Sequence, residues 1–305
     1  MMRLTRLSAL ALLTIISAAC GRHAPEAVSV DYQKEIQDWR AMRLDRVAGP
    51  DGWATLAGLY WLKQGENRLG SGAGNELVLA EGGLPALAGS FTLAKGAVSF
   101  SAAPGAGILS GGKPVSTLTL VTDLDGTPTV LTRGSLSFYA IERSGGRYGV
   151  RVKDTAADTR VHFKGLQYFP LDPAWRFEAR FEAYPPGRKV SIVDVFGVPE
   201  EMGSPGALSF TLDGKDYRLD TVLETGETDY FVMFGDKTNG KDTYGAGRFM
   251  YVKPPVNGKT VLDFNKSYNP PCVFSVYATC PLPPPQNRLP LAITAGELKY
   301  GGAGH

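Results

Sequence analysis

Histidine and cysteine are scarce: 3 of each in 305 residues. His23, His162 and His305 stand at no metal-ligand spacing, so a zinc centre is not expected, and neither is any other cofactor. Ser-His-Asp catalysis would have to run through His162 alone. The G-x-S-x-G elbow, the H-E-x-x-H helix and the Walker loop are all missing. Gly70–Gly74 is glycine-rich but lacks the phosphate-loop lysine and a following helix, so it reads as a turn. Neither sign of charge is in excess, with 32 Lys and Arg against 30 Asp and Glu. Residues 1–19 carry Arg3 and Arg6 and no acid, and removing them leaves the two signs equal. The basic excess of a general nucleic-acid binder is therefore absent. Beyond Cys20 no apolar run approaches the 18 residues of a membrane span.

What is abundant is glycine, 37 residues, and proline, 21, the punctuation of strands and turns. A chain of this length buries roughly three quarters of its unfolded surface and needs no metal or disulfide to hold a core. It has room for one large domain or two ordinary ones.

The first residues read MMRLTRLSALALLTIISAACGRH. Arg3 and Arg6 precede an apolar run, Leu7–Ile16, and three small residues, Ser17, Ala18 and Ala19. That is the form of a secretory signal, too short to span a bilayer. Small residues directly before Cys20 resemble a bacterial lipobox, although Ser17 stands where that pattern has Leu. The resemblance implies cleavage after residue 19, lipidation of Cys20 and attachment to a membrane through the lipid anchor. Plain secretion and an uncleaved anchor are the other readings. Gly21 follows the cysteine with no Asp to suggest inner-membrane retention. In a cell with two membranes the expected address is the outer one, facing the periplasm. Residues 20–30 show no apolar periodicity and read as a tether.

Apolar spacing predicts a helix over Asp31–Val47, N-capped by Asp31, with Ile36, Trp39, Met42, Leu44 and Val47 toward the core. From Asp51 onward the pattern becomes short alternating strands separated by turns. Ser90–Leu93 and Ala97–Phe100 around Lys95-Gly96 form a hairpin signature. Gly65–Gly74 is read as turn, His162 is placed on a strand, and a last strand is predicted at Leu291–Thr294. The aromatic, proline-marked stretch Leu166–Pro173 divides the chain. The expected fold is mainly β: a helix and a β domain over residues 31–165, then a second β domain with a Pro-rich tail over residues 166–305, each sandwich- or barrel-like.

Two resemblances refine this. Leu62–Gly65, Asn67–Gly70, Asn75–Leu79 and Thr132–Phe138 are similar to forkhead-associated domains, β-sandwiches that bind phosphothreonine. That family has Arg where this chain has Ser71, and Ser and His in the loop that here is Leu84–Phe91. The resemblance implies the shape without the phosphopeptide activity. The strings DGWATLAGLYWLKQGENRLGS, YGVRVKD, DTYGAGRFMYV, LDFNKSYNPPC and CPLPPPQNRLPLAITAGE resemble domain-of-unknown-function family 1684 from about Trp39 to Tyr300. That family has no established activity, so the resemblance implies none here.

The segment Asp242–Glu297 holds the most unusual residues. Asp263 and Asn265 share a strand face; Asn269, Asn287, Arg248 and Glu297 surround the proline-rich stretch. Such backbone cannot satisfy its own hydrogen bonds, and unpaired buried groups cost about 1–3 kcal/mol each, so asparagines fit there as scaffolding. Arg248, Asp263 and Glu297 read either as a structural ion-pair network or as a polar pocket for an anionic ligand, with the carboxylates as contacts or acid/base groups. If Cys20 is lipidated, Cys272 and Cys280 remain as a pair in an oxidising compartment and are expected to form a disulfide; a reactive thiol is the alternative. The functional expectation is a lipid-anchored envelope protein that binds a small ligand or a protein partner at this C-terminal polar site. A hydrolase or transferase using Asp263, Glu297 and Arg248 is the alternative, and a purely structural protein the third.

Overall fold

A computed structural model describes residues 28–301. The signal-like segment, Cys20, His23 and His305 lie outside the described residues. Among the described residues no helix is long and apolar enough to cross a membrane.

Helix α1 (Val30–Ala48) begins one residue before the predicted start. Its N-cap is Ser29 rather than Asp31: Ser29 Oγ accepts from the Tyr32 N–H at 3.2 Å. Such a side chain satisfies one of the orphan donors of the first turn. The buried stripe is Tyr32, Ile36, Arg43 and Val47, with Trp39 half-buried, while Met42 is 59% and Leu44 45% exposed. Two expected core residues thus yield to a tyrosine and an arginine. The reason is what α1 packs against: a polar turn and the C-terminal tail, which offer carboxylates.

The first half contains β1 (Leu56–Trp61), β2 (Gly65–Gly70), β3 (Leu77–Val78), β4 (Gly89–Ala94), β5 (Ala97–Ala102), β6 (Leu109–Ser110), β7 (Lys113–Pro114), β8 (Thr117–Leu120), β9 (Leu131–Arg133), β10 (Leu136–Arg143) and β11 (Arg147–Asp154). They form a six-stranded sheet ordered β1-β11-β10-β9-β6-β7 and a five-stranded sheet ordered β3-β2-β4-β5-β8. One core joins them: Leu69, Phe91 and Phe100 from one sheet meet Phe138, Val150 and Val152 from the other. The predicted hairpin is β4–β5, with Phe91 opposite Phe100 and Lys95 and Gly96 both at positive φ, as a type I′ turn requires. Gly65–Gly70 is a strand, not a turn. Its polar sequence hid a register in which Leu69 enters the core and buried Asn67 holds the Lys63 and Gly65 carbonyls.

His162 lies on no strand. It caps the one-turn helix α2 (Asp158–Val161), exposed, with Nδ1 2.7 Å from Asp158. The second half then folds as β12 (Arg176–Ala183), β13 (Lys189–Val193), β14 (Pro199–Gly203), β15 (Gly206–Leu212), β16 (Lys215–Asp220), β17 (Tyr230–Phe234), β18 (Arg248–Val252) and β19 (Lys259–Asp263). A four-stranded sheet runs β16-β15-β12-β19; β13–β14 and β17–β18 are separate hairpins. The second hairpin is apolar on both faces. Val232, Phe234, Met250 and Val252 pack on the four-stranded sheet. Phe231, Met233 and Phe249 pack with Ile192, Cys272, Cys280 and Leu56 of the first half.

Leu291–Thr294 is not a strand. Its backbone is irregular, and the Ile293 and Ala295 carbonyls accept from the Arg248 guanidinium instead of a neighbouring strand. The proline-rich tail is tied down piecemeal: Leu282 N donates to Val193 O, Val195 N to Cys280 O, and Leu289 N to Gly235 O. Gly247, at φ +115°, must be glycine, because a Cβ there would lie 2.6 Å from both the Phe234 carbonyl and Pro283.

Candidate functional site

The six polar residues singled out in the sequence do not gather in one place. Arg248 is wholly buried against Asp236 at 2.5 Å, with the Phe234 ring 5.2 Å from its guanidinium carbon. Asn287 accepts from Asp220 N at 2.7 Å and donates to the Asp220 and Met233 carbonyls. Glu297, also wholly buried, takes Arg43 Nε at 2.7 Å on one oxygen and the Asn269 N–H at 2.9 Å on the other. Arg43 also donates to the Asn269 carbonyl, and its guanidinium carbon lies 4.4 Å from the Tyr268 ring centroid.

Asp263 and Asn265 do meet, not as residues on one strand face: β19 ends at Asp263, which caps the 3-10 turn Phe264–Lys266 that holds Asn265. Tyr32 donates its hydroxyl to the Asp263 carboxylate at 2.9 Å, Asn265 N–H adds a bond at 3.0 Å, and Arg176 Nε lies 3.9 Å away. Burial raises the Asp263 carboxyl above the ordinary carboxylate range, against the hydrogen bonds from Tyr32 and Asn265. Asn265 also bridges to the Asp172 backbone. These contacts hold the tail on α1 and on the second half; of the six residues, Asp263 lines a cavity.

Cys272 and Cys280 are free, buried thiols side by side: Cys272 N donates to Cys280 Sγ at 3.0 Å, and Tyr244 Oη lies 3.7 Å from Cys272 Sγ. The neighbouring Cys280 side chain holds Cys272 below the ordinary thiol range; burial holds Cys280 above it.

The cavity is a cleft of about 1340 Å³ between the two halves, roofed at one end by α1. Its lining from the first half comes from the outer face of β11, together with Trp53, Asp123, Glu142 and Arg143. Strand alternation sends Tyr148, Val150 and Val152 into the sandwich core, so Arg147 and Arg151 face the opposite way. Arg151 is 5% exposed, and among the described residues no hydrogen bond or ion pair engages its guanidinium. Its guanidinium carbon lies 5.6 Å from the Trp53 ring centroid; that of Arg147 lies 4.6 Å over Trp61, with Nε unpaired among the described residues. A buried charge without a partner is costly, several kcal/mol in real proteins.

The floor is aromatic: Phe231, Phe249, Tyr251 and Tyr268, with Phe231 and Phe249 centroids 4.9 Å apart. Residues of β14 and the loop after β16 add an acidic stretch to the lining: Glu200, Glu201, Glu224 and Glu227. Tyr251 donates its hydroxyl to Glu224 at 2.5 Å, and burial, then the nearby Glu227 and Glu200, raise the Glu224 carboxyl above its ordinary range. Sequence reading missed these residues because each motif was weighed along the chain, whereas the cleft is made by faces far apart in sequence. One signal was present: in YGVRVKD the charged positions alternate with core positions, which marks a sheet whose second face also meets something.

No curated protein matches this chain. Among solved structures, the solution NMR structure of an uncharacterized protein from Haloarcula marismortui is 36% identical, covering 46% of this chain and 78% of that one, at a TM-score of 0.38. The family profile described as "Protein of unknown function (DUF1684)" matches residues 161–298. The match is thus narrower than the expected span from Trp39: DGWATLAGLYWLKQGENRLGS and YGVRVKD lie before it. Through its C-terminal half, the chain belongs to the DUF1684 family.

Proposed function

We propose that the protein is a binding protein of the cell envelope, lipid-anchored at Cys20, that takes a small anionic ligand in the cleft between its halves. The leader-like residues 1–19 and the small residues before Cys20 support the address. The observation that carries the binding reading is Arg151: a buried residue lining a large cleft, whose guanidinium has no hydrogen-bond or ion-pair partner among the described residues. Burying a charge is unfavourable unless it is paired and hydrogen-bonded. An anion entering the cleft supplies that pairing, and the Trp53 ring beside it excludes water and strengthens the contact. Of the sequence-derived site residues, Asp263 stays in this reading as part of the cleft wall. In an oxidising envelope Cys272 and Cys280 close as a disulfide and fix the segment that carries Cys280 into the same cleft.

The test is thermal unfolding of the full chain with inorganic phosphate and acetate, compared with Arg151→Met. The wild type is expected to gain stability as either anion rises, and the variant not to respond. The variant by itself should be as stable as the wild type or more so, because an apolar isostere removes an uncompensated buried charge. Equal responses of the two proteins to both anions would defeat the proposal.

A further inference from the structure

Resting on the reading of Arg151 as an anion site, we infer that the ligand is a small zwitterion, with its anionic group at Arg151 and a cationic group at Glu224. The lining of the cleft leaves charge of both signs without an ion-pair partner. Arg147 and Arg151 form no ion pair among the described residues, while Asp123, which also lines the cleft, is taken by Arg143. Glu224 has its Oε2 held by Tyr251, while its Oε1 takes no hydrogen bond and no Lys or Arg forms an ion pair with it among the described residues. Aromatic rings line the same cleft, Phe231 lying 4.9 Å from Phe249 and 5.1 Å from Tyr251.

This arrangement discriminates by charge. A simple anion that reaches Arg151 also enters the field of the acidic wall, and a simple cation at Glu224 enters that of the arginines. Only a molecule carrying both signs is favoured at both ends, and opposite placement of like charges penalises the rest. The Tyr251 hydroxyl orients Glu224 so that its free oxygen is available to an ammonium group. A floor of rings suits a short carbon or peptide segment joining the two charges.

Two sources share this chemistry, a short peptide with free ends and a phospholipid headgroup. Titration calorimetry of the full chain with alanine peptides of two to five residues, and with glycerophosphoethanolamine, separates them. The inference expects at least one of these zwitterions to bind tenfold or more tightly than inorganic phosphate. The best peptide should lose tenfold or more when its amine is acetylated or its carboxylate amidated. Glu224→Gln should bring the free zwitterion down to the affinity of the acetylated form and leave phosphate binding as tight or tighter, which a merely unfolded variant would not do. Acetylated and free peptides binding alike, with glycerophosphoethanolamine no tighter than phosphate, would overturn the cationic pole while the anion reading stands. Loss of phosphate binding together with all zwitterion binding in the wild type would sink both.

Discussion

Arg43 of helix α1 reaches across 254 residues of sequence to Glu297, and the two form an ion pair at 2.7 Å with almost no exposure to water. The pair is completed by backbone: Arg43 donates to the Asn269 carbonyl, and Glu297 accepts the Asn269 N–H. Removing one member leaves the other buried and uncompensated, at a cost of about 3–5 kcal/mol. Glu297→Gln is expected to lower the urea midpoint accordingly, and Arg43→Met together with Glu297→Met to lose less than either change alone. A strictly additive double variant would show that the two residues are not coupled.

The Asp263 carboxyl gives stability a definite pH dependence. Its native pKa is raised, first by burial, so the folded state holds the proton more tightly than the unfolded chain. Stability therefore falls as pH rises from the unfolded value, about 3.9, through the raised native one. Asp263→Asn should flatten that fall, so that wild type minus variant declines between about pH 4 and neutrality. The groups facing the carboxyl are Tyr32, Asn265, Arg176 and Lys266. A difference rising with pH would mean that these outweigh burial.

Cys272 and Cys280 offer a prediction about compartment. Protein recovered from the envelope of the host cell should show no reactive thiol at either position when denatured without reductant, and two after reduction. Reduction, or Cys280→Ser, should cost roughly 2–3 kcal/mol, the loop-closure effect of so short a ring. Two reactive thiols in the unreduced protein would leave the pair as the free thiols of the structure.

Attachment is checked at Cys20. The wild type is expected in the membrane fraction, labelled by a radioactive or clickable fatty acid, and Cys20→Ala is expected to lose the label and partition with water-soluble protein. Persistent membrane fractionation of the variant would assign the attachment to another segment.

The strands were legible where alternation was strong. Ser90–Phe100 shows its hairpin because aromatic and small residues keep a strict period of two around a Lys-Gly turn. Gly65–Gly70 is opaque because its buried positions are an asparagine, a leucine and a glycine, and a buried asparagine looks polar to any periodicity. Helix α1 is visible as a helix, with Ile36 and Val47 on its buried face as expected, but Met42 and Leu44 give way to Tyr32 and Arg43, which are buried for the sake of Asp263 and Glu297, partners that no local window contains. The same long reach explains the site. Arg248, Asn287 and Glu297 were noticed as unusual, and they are, as buried polar groups bound by the protein itself. The cleft escaped because its walls come from β11, β14 and β18, whose facing is a tertiary fact.

The clasp between α1 and the tail also sets an order of assembly. Tyr32 and Arg43 are synthesised 231 and 254 residues ahead of the carboxylates that receive them. Contacts of such separation close late and slowly. The first-half sandwich has its own core and is free to form early; Tyr32 and Arg43 stay without their partners until Asp263 and Glu297 arrive. A ribosome stalled before Glu297, or a protease trimming the final residues, would leave α1 without its seat and the mouth of the cleft without its roof.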